Sequence, residues 1–277
     1  MSAVPAPPSR AARGVRAWPA AGTSRGRIVL LHGVTSSTVT WWRAGPALAT
    51  AGWDVFALDL AGHGEGPRLP EGGGDLGTLV EAVVPLLPPD LTLLVGHSLG
   101  AIVSLSVAAR HPGVARGLLL EEPPGTAGAD AGQIADGIEA GAVAVRADRE
   151  TFWQRVRQAN PDWADADVEG SVAALEMTDT PAVARALRSG VTWDLPALVA
   201  SVQVRVPVLV VAARPPGGAH PAAGGSALVG TDREAVRGLV TEARFVELDG
   251  GHSLHRAQPD RIVEIISAFA ASLLSSN

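Results

Sequence analysis

Short, uninterrupted apolar runs recur along this chain with longer amphipathic stretches between them, and that alternation restricts its fold more than any other feature. A strand apolar on both sides must be covered on both faces. Runs at 27–32, 53–59, 91–96, 117–122, 206–213 and 244–248, each bounded by Gly, Pro or Asp, therefore predict a mostly parallel sheet with helices on both faces. Helices are expected at about 42–51, 76–87, 99–111, 232–241 and 259–274, the third stopped by His111-Pro112-Gly113. Between Pro123 and Val204 the rhythm lapses into Ala-rich, acidic sequence, which reads as a helical insertion over the sheet. The expected organisation is a flexible tail at 1–14, a core at 15–122 and 205–277, and a helical cap at 123–204, with a loop at 215–230.

Composition narrows the chemistry. The 277 residues are 47% hydrophobic, enough for a sizeable core, and include no cysteine, which excludes disulfides, thiolate nucleophiles and iron–sulfur centres together. All 22 basic residues are Arg, so Schiff-base catalysis and a phosphate-loop lysine are excluded as well. The net charge of -6 and the scattered arginines predict neither nucleic-acid nor membrane partners. No stretch reads as a secretory leader or a membrane span, so a cytoplasmic location is expected.

The segment 91–101, L-T-L-L-V-G-H-S-L-G-A, is a strand followed by G-x-S-x-G and a helix. In that context a Ser sits on a sharp turn that presents its hydroxyl above the sheet, with the following helix N-terminus supplying partial positive charge. Ser98 is thus the candidate nucleophile. The near copy Gly251-His252-Ser253-Leu254 lacks the closing Gly. A Ser hydroxyl needs an imidazole base, and His252, on the loop after the last strand, is the best placed of the seven His. His255, three residues on, could join it at a metal but lacks a third ligand; His32, His63 and His97 lie in glycine-flanked turns and are expected to bond locally.

L-L-H-G-V at 30–34, D-L-A-G-H-G at 59–64, G-H-S-L-G-A at 96–101 and G-G-H-S-L-H-R at 250–256 together resemble the α/β-hydrolase superfamily, in the expected order over roughly the whole chain. The resemblance implies an eight-stranded sheet with its first strands reduced here, and a cap after the sixth strand. It also implies Ser98 as nucleophile, His252 as base, and an oxyanion hole from the N–H groups of Val34 and Leu99. The familiar acid after the seventh strand is missing, since Arg214 stands there. Strand six ends Glu121-Glu122-Pro123, where haloalkane dehalogenases and zearalenone-type lactone hydrolases place their acid. Alternation sends the two Glu to opposite sides, and Glu122, next to the loop, is preferred over Glu121, which could anchor the cap instead. Asp232 and Asp249 are lesser candidates, and Asp59 reads as a turn stabiliser. Trp41, Trp42, Trp153, Trp163 and Trp193 are candidates either for lining an apolar pocket or for packing.

The expected function is cofactor-independent, metal-free serine hydrolysis of a small apolar carboxylic ester or lactone. Carbon–carbon bond hydrolysis or acyl transfer by the same Ser-His pair, and a ligand-binding receptor with vestigial turnover, are the alternatives. Asp-nucleophile chemistry is disfavoured by the Ser at the elbow. Oligomeric state is not legible.

Overall fold

The computed structural model describes residues 13–126, 131–214 and 225–275. Most of the expected tail and ten residues of the 215–230 loop lie outside them. The strands are β1 (Val15–Trp18), β2 (Arg27–Leu31), β3 (Asp54–Leu58), β4 (Leu91–His97), β5 (Ala115–Glu121), β6 (Val208–Ala213) and β7 (Phe245–Leu248). They form one sheet in the order β1-β3-β2-β4-β5-β6-β7, parallel except for β1, which runs antiparallel to β3. The described residues therefore hold seven strands rather than eight. β1 was not foreseen: its V-R-A-W is a partly exposed edge strand with no continuous apolar run.

The helices are α1 (Ala44–Thr50), α2 (Leu76–Val83), α3 (Leu99–Arg110), α4 (Ala131–Ala147), α5 (Arg149–Ala159), α6 (Asp165–Glu176), α7 (Thr180–Ser189), α8 (Leu195–Gln203), α9 (Gly230–Leu239), α10 (Leu254–Ala257) and α11 (Pro259–Ser275). Strand alternation divides the core between two layers. Ile28, Leu30, Val55, Leu93, Val95 and Leu119 face α1 and α11. Val29, Leu31, Leu58, Leu94, Leu118 and Leu120 face the layer that holds α2, α3, α8 and α9. Continuous apolar strands are the outcome, because each residue finds a helix on whichever side it points.

The insert between β5 and β6 begins with α4–α7. The acidic residues that distinguish its sequence serve partly as helix caps: Asp148 and Asp179 accept from the N–H groups of Thr151 and Ala182 at the starts of α5 and α7. α4 and α7 join the core layer through Ala135, Ile138, Val183 and Leu187, while α4, α5 and α6 enclose a small cluster of their own. α8 packs against α3 and α9 beneath the sheet.

The strand order fixes where chemistry can occur. From β2 the chain steps to β3 on one side and then to β4 on the other, so the connections leaving β2 and β4 part company at their carboxyl ends. Such a switch point leaves a crevice above the sheet.

Candidate active site

Ser98 occupies the turn between β4 and α3 at φ 52°, ψ -121°, a conformation that non-glycine residues avoid. The flanking glycines are required by contact. A Cβ on Gly96 would lie 2.2 Å from the Gly100 carbonyl oxygen, and one on Gly100 would lie 2.5 Å from that of Leu31, both backbone atoms with no room to yield. The turn is pinned by the Ser98 N–H, which donates to the Glu121 carbonyl at 3.0 Å. The first bonds of α3 are those of Ala101 and Ile102 to the Ser98 carbonyl, so the Leu99 N–H is left without an intrahelical acceptor.

Glu122 follows β5 directly, also at positive φ (48°), with its carboxylate fully buried. That backbone twist turns its side chain toward the loops after β6 and β7. Oε1 accepts from the Ala213 N–H (2.6 Å) and the Ser226 hydroxyl (2.8 Å); Oε2 accepts from the Ala227 N–H (2.7 Å) and His252 Nδ1 (3.2 Å). Four donors occupy the positions a carboxylate offers and fix its plane. With its proton on Nδ1, His252 keeps a lone pair on Nε2, and a third of its side chain remains exposed at the crevice. Arg233 braces this arrangement from beneath: Nη1 donates to the Leu228 carbonyl (2.9 Å) and Nη2 to Glu247 (2.5 Å), which holds the 226–228 loop against Glu122.

Glu121 points the other way, as strand alternation requires, but it does not fasten the insert. Its Oε1 accepts from the backbone N–H and the Nδ1 of His255, at 2.9 and 2.8 Å. His255 Nε2 accepts from the Thr40 hydroxyl (2.6 Å), which in turn accepts from Arg256 Nε (3.0 Å). A buried row of acid, imidazole and hydroxyl thus stands beside the His252–Glu122 pair. His97 joins the two rows. It was expected to bond locally, yet its Nε2 donates to the His252 carbonyl at 2.8 Å, tying the elbow to the His252 loop. The nitrogen and carboxylate atoms of His97, Glu121 and His255 lie within 4.8 Å of one another, a grouping that could hold a metal ion. The His255–Glu121 distance is that of a hydrogen bond, and His97 Nε2 is committed to a carbonyl.

The remaining sequence candidates have other placements. Asp59 accepts from the N–H groups of Thr38 (2.6 Å) and Glu65 (2.9 Å), a turn role. Asp232 caps the Thr126 N–H, and Asp249 pairs with Arg214 at the surface. Val34 lies in the loop after β2, beside Gly33, whose Cβ position is 3.0 Å from the Ser98 Cβ. Trp41 is fully buried with its ring 4.5 Å from that of His255, and Trp42 donates to Asp167 of α6. Trp153 packs in the insert's own small cluster and Trp193 donates to the Gly125 carbonyl. Trp163 stacks on Arg256. Sequence reading missed Ser226, Arg233, Arg256 and the reach of His97; Ser226 sits in a Gly/Ala loop where no local signal marks it.

Four buried imidazoles make the fold acid-sensitive. Desolvation lowers His32 to about 4 and His63 to about 3, and holds His97 and His255 well below the ordinary range. Below pH 6.5 the unfolded chain binds protons that these native rings refuse, so stability present above 6.5 is lost as pH falls. His32 alone withdraws about 3 kcal/mol between pH 6.5 and 4. Burial raises Glu121 and Asp59, which works in the opposite direction, but these are two groups against four. The urea midpoint is expected to fall steadily from pH 7 to pH 4.5, and a flat or rising profile would show that the rings titrate in the native state.

A family model described as the alpha/beta hydrolase fold matches residues 26–187. Among curated proteins, the chain is 41% identical over 118 residues to the dihydrolipoyllysine-residue acetyltransferase component of the acetoin cleaving system of Pseudomonas putida, a match covering 42% of this chain and 31% of that protein. It is 32% identical over 109 residues to the probable lysophospholipase BODYGUARD 3 of Arabidopsis thaliana, covering 37% and 22%. The chain thus spans a third or less of the length of these two relatives. Among solved structures, the enol-lactonase from Burkholderia xenovorans LB400 superposes with a TM-score of 0.67 at 20% identity, over 93% of this chain and 95% of that one. Strand order, elbow and family match agree: this chain belongs to the α/β-hydrolase fold family.

Proposed function

We propose that this chain is a cofactor-independent serine hydrolase of carboxylic esters or lactones, working through an acyl-enzyme. The observation that carries the reading is the His252–Glu122 hydrogen bond, made by a carboxylate with four donors, on a loop that His97 Nε2 ties to the strained elbow holding Ser98. Glu122 fixes the imidazole with Nδ1 protonated, so Nε2 is free to take the Ser98 proton as the hydroxyl attacks the acyl carbon. The oxyanion that forms is received by the N–H groups of Leu99 and Val34, at the start of α3 and in the loop after β2. Imidazolium then gives its proton to the leaving alcohol. Water attacks the acyl-enzyme with His252 again as base, releasing the acid and restoring Ser98.

The helices α4–α7 act as a cap over the crevice. Trp42 and Arg43 on the core side grip Asp167 of α6, which sets the cap's position over the site. The identity shared with an acetyltransferase component favours acyl transfer as a second reading, in which an alcohol or thiol replaces water in the second step. Product analysis with and without an added acceptor separates the two.

Intact-protein mass after a fluorophosphonate probe tests the common step. The expected result is one adduct on the wild type and none on Ser98→Ala. Folded wild-type protein that takes no adduct, or an adduct that persists in the variant, would sink the proposal.

A further inference from the structure

Arg256 is a buried cation without a bonded counter-ion. The residue is 6% exposed, and burial lowers its guanidinium only to about 10, so it is charged at neutral pH. Its partners are neutral hydroxyls: Nε donates to Thr40 Oγ1 at 3.0 Å and Nη2 to Ser36 Oγ at 3.3 Å. Trp163 of the insert covers one face of the guanidinium, 4.4 Å from its carbon. Nη1 has no partner among the described residues. Two other partly or fully buried arginines, Arg43 and Arg233, each form an ion pair, with Asp167 and Glu247. Asp167 and Glu121 act on Arg256 from a distance, but neither is hydrogen-bonded to it: Asp167 bonds Arg43 and Trp42, and Glu121 Oε1 bonds His255 while Oε2 makes no hydrogen bond. A desolvated charge left in this state is costly unless something supplies the opposite charge.

The position of this cation relates it to the reaction centre. Ser36 and Gly33 close a tight turn, with the Ser36 N–H donating to the Gly33 carbonyl at 3.3 Å, which keeps the ends of that turn within about 7 Å. One end abuts the Ser98 Cβ and the other holds Arg256 Nη2. The guanidinium is therefore one loop turn from Ser98. Its Nε and one Nη2 proton are taken up in positioning it. The Nη1 group and the second Nη2 proton make no bond among the described residues, and a guanidinium edge with such donors is able to receive a carboxylate.

We propose that Arg256 binds a second carboxylate on the acyl part of the substrate, so that the preferred substrates are half-esters or lactones derived from short dicarboxylic acids. This rests on the serine-hydrolase reading above and replaces the expectation of a wholly apolar substrate. Binding energy from the remote carboxylate holds the scissile carbonyl over Ser98.

The test compares acyl chains of equal length by acid release in a pH-stat: monoethyl succinate against ethyl butyrate, and monoethyl glutarate against ethyl valerate, with fluorophosphonate labelling of the same preparation. The expected result is Ser98 labelling together with a kcat/KM ratio favouring the anionic member by about 10- to 100-fold in at least one pair. In Arg256→Gln that ratio is expected to collapse toward one, with an intermediate value in Ser36→Ala, which removes one of the two groups that orient the guanidinium. Labelled wild type with a ratio of one or below in both pairs overturns the proposal without any variant having to fold. An anionic preference that survives Arg256→Gln at an unchanged melting temperature overturns it as well. Absence of both labelling and turnover in folded wild type removes the hydrolase reading instead.

Discussion

Ser98→Ala and His252→Ala are each expected to lower kcat on an activated aryl ester by about four to six orders of magnitude, and the double variant is expected to be no worse than the poorer single one. The reasoning is that the two residues perform one event. Without the hydroxyl there is no acyl-enzyme, and without the Nε2 lone pair the hydroxyl keeps its proton and attacks poorly. Residual rate above water would come from the Leu99 and Val34 N–H groups and from substrate positioning, which neither substitution removes. Both variants should melt close to wild type. Ser98 sits at φ 52°, where alanine is no better suited, and His252 has a third of its side chain in solvent. Burst kinetics supply the check that steady-state rates cannot: an aryl ester should release one equivalent of phenol rapidly from wild type and none from Ser98→Ala. A single variant that retains a tenth of wild-type kcat would mean that the acyl carbon is attacked by something else, with water activated elsewhere in the crevice the first alternative to pursue.

How much of this site is visible before folding depends on the kind of constraint that each residue obeys. The elbow is legible because it needs Gly96 and Gly100 at fixed offsets, where a Cβ would strike backbone within 2.5 Å, and because a continuous apolar strand precedes it. That Glu121 and Glu122 point to different sides is legible in part from strand alternation, but Glu122 lies beyond β5 at φ 48°, and the twist that aims it at the His252 loop leaves no mark in the sequence. What each one meets there is not legible either. That Glu121 receives His255 depends on how the loop after β7 lies across the carboxyl end of β5, a relation set by sheet order and register. Ser226 lies in a Gly/Ala/Pro stretch with no periodicity, and it matters only because the loop passes over the Glu122 carboxylate. His97 sits inside a recognisable motif, but its bond to the His252 carbonyl joins segments far apart in the chain. Arg256 carries no local signal ahead of the last long helix; its burial follows from Thr40, Ser36 and Trp163 converging from three separate segments. Edge strand β1 was illegible for a different reason, since pairing on one side only and partial exposure leave no apolar run to read.

The two strand-end glutamates should separate cleanly when each is changed to glutamine, a substitution that keeps shape and removes charge. Glu122→Gln is expected to lower kcat by about three to four orders of magnitude with little change in KM. The amide offers one carbonyl oxygen and one NH2 where the carboxylate offered two acceptors. Ala213 N–H and Ser226 on one side and Ala227 N–H and His252 Nδ1 on the other would each have to share or lose an acceptor. If the amide nitrogen falls toward His252, it donates to Nδ1 and drives the proton to Nε2, the tautomer that cannot accept from Ser98. If it falls toward Ala213, a backbone N–H buried beside β6 loses its partner, at a cost of about 1–3 kcal/mol that should register in the melting temperature. Glu121→Gln has the opposite profile. Its carbonyl can still accept from the His255 N–H, but the negative charge that helps hold Arg256 cationic is gone, so about 2 kcal/mol of stability is expected to be lost while kcat falls by about tenfold or less. The discriminating measurement is the ratio of kcat loss to melting-temperature loss for the two variants on one neutral ester. A larger rate loss in Glu121→Gln, with Glu122→Gln active and merely less stable, would transfer the role of the acid to Glu121 and make the His255 row the working one.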